Sequence, residues 1–158
     1  PEHLGWGLLQ YGLVHLNAAL VSMMVGGIEK VVEMARNYAN TRIQFGQPIG
    51  RFQAIKHKIA DMLLDLESCR SLSYYASWTL ETNAGHMTEA VAMARAFVTE
   101  AYIRTAGQNI QIHGGMGFTW ESDCHLYLKR AMALENYLGS PDDYRRVAME
   151  ELGWVMIR

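Results

Sequence analysis

Proline is almost missing from this chain: there are three in 158 residues, and none between Pro1 and Pro48. Nothing therefore interrupts a helix over the first forty residues, since proline is the residue that removes a helical hydrogen bond and clashes with the preceding turn. Cysteine is scarce too. Cys69 and Cys124 are far apart and in no C-x-x-C spacing, which argues against a disulfide framework or a zinc site and for two buried thiols in a reducing compartment. There is no run of lysine and arginine. With 14 basic residues against 16 acidic ones and a net charge of −2, the chain offers no basic groove for nucleic acid. The opening residues lack the charged-then-apolar pattern of a signal peptide, and the expected location is the cytoplasm. The chain begins on Pro1 and not on methionine, so a piece of a longer protein is expected. Finally, Gly5 to Ile28 contains no Asp, Glu, Lys or Arg. That stretch is long enough to span a bilayer, but Gln10, His15, Asn17 and Ser22 interrupt it and no basic flank follows. It reads as a helix buried in a bundle or a subunit interface, not as a membrane span.

What is present is helical periodicity. One helix is expected from about Gly7 to Asn40, with Leu9, Leu13, Leu16, Leu20, Met23 and Met24 as its inward stripe at three- and four-residue steps. Gly46, Pro48 and Gly50 punctuate a loop over 42–50. A second helix follows from about Phe52 to Glu81, with Phe52, Ile55, Ile59, Met62 and Leu66 inward. After a turn at Asn83-Ala84-Gly85, Thr88 is expected to cap a third helix reaching Ile112, and a fourth covers roughly Cys124 to Leu138. Ser140-Pro141-Asp142-Asp143 is an N-cap with proline at the first helical position of a short fifth helix ending near Leu152. No period-two alternation, repeat or linker occurs. The fold class is all-α: an antiparallel four-helix bundle with a short extra C-terminal helix, one domain over 1–158.

Two segments carry chemistry. Gln111-Ile112-His113-Gly114-Gly115-Met116-Gly117-Phe118 ends a helix in three glycines within four residues, which permits close approach of a ligand to the backbone. Arg42-Ile43-Gln44-Phe45-Gly46-Gln47-Pro48-Ile49, with Phe52-Gln53 after it, places an arginine and an aromatic in a glycine-punctuated loop. Each has a plain structural explanation: a helix C-cap, a helix-end charge, a loop anchor. In this order and spacing, the pair resembles the C-terminal helical domain of the acyl-CoA dehydrogenase family, over about Leu13 to Leu152. The resemblance implies that the family's N-terminal helical and middle β domains are absent. It implies an FAD site across a subunit boundary, with Arg42 on the pyrophosphate and Phe45 near the adenine. Gln53 belongs to the same site, Gln111, Gly114 and Gly115 lie against the ADP portion, and Ser140 is near the flavin. A guanidinium suits the phosphate because it makes paired, charge-assisted bonds. Asp142, where the family has a glutamine near FAD, fits poorly because it brings negative charge toward phosphate.

The resemblance also implies a reaction: loss of an α-proton from an acyl-CoA thioester to a carboxylate while the β-hydride passes to flavin. The family's Tyr-Glu-Gly-Thr segment is here Tyr137-Leu138-Gly139-Ser140. Tyr137 keeps a substrate-side position, but leucine cannot accept a proton. The alternative family position for the base, on the first helix, is Leu16, with Asn17 where an arginine commonly stands. Neither position can act as base, so no catalytic residue is assigned. The block from Thr119 to Arg130, with Lys129-Arg130-Ala131 where many members read Arg-Asp-Ala, is similar to subunits of heteromeric actinobacterial acyl-CoA dehydrogenases of sterol side-chain degradation, in which one subunit bears the Glu and its partner lacks it. The implied partners are an acyl-CoA substrate, further subunits of a homo- or hetero-oligomer (a Glu-bearing one among them), and an acceptor resembling electron-transfer flavoprotein. Two other readings compete: a competent dehydrogenase with an unrecognised base, and a helical interaction domain without flavin that serves assembly.

Overall fold

The computed structural model describes residues 4–154. Helix α1 spans Leu4–Thr41, α2 Gln53–Glu81, α3 Met87–His113, α4 Cys124–Glu135 and α5 Pro141–Glu151. Contacts between named pairs set the directions. Asn17 meets Arg95 and Tyr38 stacks on His113, so α1 and α3 run parallel. Ser22 meets Ser73 and Glu29 pairs with Arg70, so α2 runs antiparallel to α1. Asn109 meets Cys124 while Arg95 reaches the Leu134 carbonyl, so α4 returns along α3. Helices α1 to α4 form the expected antiparallel bundle, α4 being much shorter than the other three. The short fifth helix packs on α3, where Arg145 pairs with Glu100 and Tyr144 and Ala148 cover Ala92 and Ala96.

The inward face of α1 is not the leucine stripe expected from its sequence. Of that stripe Met24 is buried and Leu13 and Leu20 are half-buried, but Leu9, Leu16 and Met23 are exposed, and the buried face is made by Ala18, Val21, Met24, Val25, Ile28, Val31, Ala35 and Ala39. A helix that is apolar all round shows helical periodicity on more than one face, and the choice falls to the side that lets its neighbour come close. At Gly27 a Cβ would lie 2.5 Å from the Tyr102 hydroxyl. Gly27 therefore lets Tyr102 of α3 come close to α1, beside a buried face of alanine, valine, isoleucine and methionine. Burial of the apolar stretch in the bundle accordingly holds from Asn17 onward, while residues 5–12 are exposed. This helix, over Gly5–Thr41, is long and apolar enough to cross a membrane, yet Val21, Met24, Ile28 and Val31 lie in the bundle core.

Three smaller expectations are also corrected. The 42–50 loop contains a two-residue antiparallel hairpin, β1 (Ile43–Gln44) with β2 (Gln47–Pro48), too short to show as alternation. Helix α3 starts one residue before Thr88, with His86 at its N-cap position and no side-chain cap bond. Helix α4 stops at Glu135, three residues before Leu138, because Leu138 takes φ +64 and Gly139 φ +128, neither of which a helix continues. The expected cap of α5 is present in full: Ser140 accepts from the Asp143 N–H, Asp143 answers the Ser140 N–H, and Pro141 follows the cap.

Both cysteines are free and buried. Burial pushes the Cys69 thiol from its ordinary 9.0 up to about 12, with Asp65 adding to the rise and Arg104 opposing it. A group whose folded pKa is raised contributes stability below its unfolded pKa and loses it as pH climbs toward the folded value. Between roughly pH 8 and pH 10 the wild-type chain should lose about 1.4 kcal/mol through this thiol alone. Urea unfolding of wild type and Cys69→Ala at both pH values measures it, and an equal alkaline loss in the two would contradict the buried thiol.

Candidate functional site

One end of the bundle gathers the C-terminus of α1, the start of α2 and the C-terminus of α3. Arg42 leaves α1 with its N–H on the Tyr38 carbonyl (2.8 Å) and its carbonyl accepting from the Ile49 N–H (2.9 Å), so the hairpin is fastened at its root. At the tip Phe45 holds φ +52 and is 92% exposed, with its ring edge-on to Phe52 at 6.0 Å. A bulky residue at positive φ is uncommon, and here it holds an aromatic ring in the open. The Arg42 side chain is exposed and makes no ion pair among the described residues. Gln53 is exposed at the first turn of α2.

Tyr38 joins this hairpin to the glycine turn. Its ring stacks on His113 at 4.1 Å and its hydroxyl donates to the His113 carbonyl at 3.4 Å. Gln111, Gly114 and Gly115 are exposed just beyond. Gly114 has φ +59 and ψ −139, a conformation suited only to glycine, and opens a 3-10 turn over Gly114–Phe118. A Cβ on Gly115 would meet nothing within 4 Å. Arg42, Phe45, Gln53, Gln111, Gly114 and Gly115 thus share one end of the molecule.

Beneath the glycine turn lies a cluster the sequence did not announce. His113 donates from Nδ1 to the Asn109 carbonyl (2.9 Å) and meets the Cys124 thiol, onto which Asn109 Nδ2 donates at 3.3 Å. Burial works against both charged forms, but the contacts outweigh it: the imidazole is held above its usual value by Cys124 and the Asn109 carbonyl, and the thiol below its own by His113 and Ser122. The pair ties α3 to the start of α4 under the turn.

The remaining positions lie elsewhere. Leu16 is on the outer side of α1 and Leu138 sits in the corner between α4 and α5, both 43% exposed. Asn17 Oδ1, one residue on from Leu16, lies 2.7 Å from the Tyr144 hydroxyl, which is also 2.7 Å from the Leu138 carbonyl; its single proton serves one acceptor at a time. A cavity of about 260 Å³ lined by Leu13, Asn17, Val91, Leu138 and Tyr144 adjoins this link, and no carboxylate lines it. Tyr137 is half-exposed and Ser140 half-buried, its hydroxyl engaged with Asp143. Asp142 points away into an ion pair with Arg145 at 2.7 Å. From Asn17 to Arg42 is 25 residues of helix, about 37 Å at 1.5 Å per residue. The corner and the hairpin are therefore separated by more than the roughly 30 Å width of a small domain.

The most consequential residue missed from the sequence is Arg95. It is completely buried in α3 and makes no ion pair among the described residues. Its Nε donates to Asn17 Oδ1 (3.2 Å), Nη1 to Thr99 and toward Met24 Sδ, and Nη2 to the carbonyls of Leu134 (2.9 Å) and Tyr137 (2.8 Å). Burial pushes its guanidinium below the ordinary arginine range, partly offset by Tyr144. The available signal was its isolation: Arg95 is the one charged residue between Ala90 and Thr99.

This is a helical domain with an exposed arginine, a projecting aromatic and an open glycine turn at one end, and a braced corner at the other. The chain belongs to the acyl-CoA dehydrogenase family: residues 3–152 match the model of the acyl-CoA dehydrogenase C-terminal domain. It is 38% identical over 128 residues to acyl-CoA dehydrogenase IpdE2 of Mycobacterium tuberculosis, covering 80% of this chain and 38% of that protein. Among solved structures, an FAD-dependent dehydrogenase matches with a TM-score of 0.84 at 33% identity, over 88% of this chain and 37% of that one. Butyryl-CoA dehydrogenase from Megasphaera elsdenii matches with a TM-score of 0.82 at 26% identity, over 86% and 35%. The chain thus spans well under half the length of these relatives.

Proposed function

We propose that the chain is the C-terminal domain of an FAD-dependent acyl-CoA dehydrogenase and comes from a subunit that lacks the catalytic glutamate. The observation that carries this reading is the separation of the two ends. Hairpin and glycine turn lie about 37 Å along α1 from the Leu16–Leu138 corner, so a dinucleotide held at the first is completed by protein other than this chain's own corner. Features of the first end that support an ADP moiety are an exposed arginine paired with no carboxylate among the described residues, an exposed phenyl ring, and a glycine turn with open space above Gly115. Arg42 would hold the pyrophosphate, Phe45 the adenine side, and Gln53, Gln111, Gly114 and Gly115 the remaining ADP contacts. Flavin, when bound, supplies the hydride acceptor for α,β-dehydrogenation of the acyl thioester.

At the other end Tyr137 and Ser140 would border the thioester and a flavin ring, while Leu138 and Leu16 leave proton abstraction to a carboxylate of a partner subunit. Asn17, close to both, is spent on Arg95 and Tyr144. The wider role follows from the same reading: an oligomer completed by N-terminal helical and β domains, acting on an acyl-CoA in the cytoplasm and passing electrons to an acceptor resembling electron-transfer flavoprotein.

The experiment is flavin retention in the full assembly. Arg42→Ala should weaken FAD binding by about 1.5–3 kcal/mol, the range for a hydrogen bond to a charged group. Arg42→Lys should lose less, because it keeps the charge but not the fork. Equal flavin content in wild type and both variants would show Arg42 to be a helix-end charge only.

A further inference from the structure

We infer that Arg95 is the positioning residue of the α4–α5 corner: it holds the Leu134–Leu138 backbone in one geometry, and so sets where Tyr137 and Ser140 stand. That those two face a thioester and a flavin rests on the proposed function; the holding itself does not.

Donor counting makes the case. A guanidinium carries five N–H groups in a fixed fork. Here five acceptors meet them, one each from Asn17, Thr99, Met24, Leu134 and Tyr137, drawn from three helices and the corner. Leu134 and Tyr137 lie where α4 ends: the Leu134 carbonyl is met by backbone N–H groups of Asn136 and, at 3.3 Å, Tyr137, while the Tyr137 carbonyl lies past the last helical residue. A cation placed there also opposes the negative end of the helix dipole. The corner has little else to fix it. Its own N–H bonds are long, 3.3 Å from Tyr137 to the Leu134 carbonyl and 3.4 Å from Gly139 to the Asn136 carbonyl. Leu138 is held at φ +64, which a leucine does not adopt unless its surroundings impose it. The Tyr144 hydroxyl lies 2.7 Å from the Leu138 carbonyl, sharing its one proton between that carbonyl and Asn17, and the Tyr144 ring lies under the Arg95 guanidinium, 5.4 Å from ring centroid to Cζ.

Plain stabilisation is a poor explanation for a buried cation without a carboxylate. A methionine of similar length would fill the same space with no charge to desolvate. What methionine cannot do is donate to the carbonyls of Leu134 and Tyr137 at once, as the two diverging N–H groups of Arg95 Nη2 do. Lysine would keep the charge but brings three donors on a flexible stem.

The test compares wild type with Arg95→Met, Arg95→Gln and Arg95→Lys. Amide hydrogen exchange is read at Tyr137, Leu138 and Gly139, with Met62–Ala76 of α2 as the internal reference. Exchange at the corner should accelerate roughly tenfold or more in the Met and Gln variants and by less in Lys, with α2 unchanged, as expected for local and not global opening. In the full assembly FAD content should persist, because the Arg42 end is untouched. The shape and position of the flavin absorption band should shift in Met and be partly restored in Lys. Corner exchange unchanged in any folded variant, or exchange rising equally in α2, would overturn the inference. Gln, with the shorter side chain and an amide donor, serves if Met does not fold. Corner acceleration with an unaltered flavin band would overturn the flavin-facing role. A wild-type assembly that binds no FAD would instead sink the proposed function, leaving exchange alone to decide the role of Arg95.

Discussion

Turnover of the full assembly should survive Leu138→Ala largely intact, and should fall by about 10²–10⁴-fold or more when the glutamate of a Glu-bearing partner subunit is replaced by glutamine, the range for loss of a general base. Leucine has no group that accepts a proton, and the corner that carries it is held through its backbone: Tyr144 meets the Leu138 carbonyl, and Arg95 the carbonyls of Leu134 and Tyr137. Trimming the side chain leaves those bonds in place. Leu16, the other position that the proposed function matches to a base, is likewise apolar and on the outer side of α1. Steady-state rates with an acyl-CoA substrate and an artificial electron acceptor decide the matter. A Leu138→Ala assembly that keeps its fold and flavin yet loses turnover would mean that the catalytic geometry runs through this chain. That result would favour a competent dehydrogenase with its base elsewhere in the corner.

Gly117→Ala should destabilise the chain by roughly 1–3 kcal/mol, the range for forcing atoms into a packed site. A Cβ there would lie 2.8 Å from the Ile110 carbonyl oxygen and 3.1 Å from the Ile110 Cα. Those are backbone atoms of α3 that cannot swing aside, so the Gly114–Phe118 turn must lift off the helix. Gly115→Ala is the matched comparison. Its Cβ meets nothing within 4 Å, so stability should stay within about 0.5 kcal/mol, as for an ordinary surface change, while FAD retention by the assembly falls. Denaturant midpoints and flavin content, measured on both variants, separate a packing glycine from a ligand-facing one. Equal stability in the two would contradict the close approach at Gly117, and full flavin retention in Gly115→Ala would weaken the assignment of that glycine to the ADP site.

The two glycines look alike in Gly114-Gly115-Met116-Gly117, and only three dimensions tell them apart. The 42–50 loop motif and the glycine motif were legible because each is local, and their order along the chain pointed to one family; the hairpin within the loop was not. Their meeting at one end was not, because it depends on α1 and α3 running parallel, with Tyr38 stacked on His113. The cluster of Asn109, His113 and Cys124 escaped notice for a related reason. Cys124 in isolation reads as a buried thiol, and its hydrogen-bond partners come from the preceding helix.

What the sequence determined by itself is what short-range chemistry controls: the stretches that are helical, the Ser140–Asp143 capping box with Pro141, the stripe from Ile55 to Leu66 on α2, and the lack of a carboxylate at Leu16 and Leu138. What only the tertiary structure decided is which way ambiguous segments face. Helix α1 carries no charged residue from Gly5 to Ile28 and apolar residues at helical spacing on more than one face, so its own pattern could not choose which face turns inward. In the packed structure the valine, isoleucine and alanine face is inward, with Gly27 meeting Tyr102 so closely that a Cβ there would lie 2.5 Å from its hydroxyl. Arg95 would be assigned to solvent by its charge. It is buried because acceptors from α1, α3 and the α4–α5 corner converge on it, and that convergence exists only once the helices have packed.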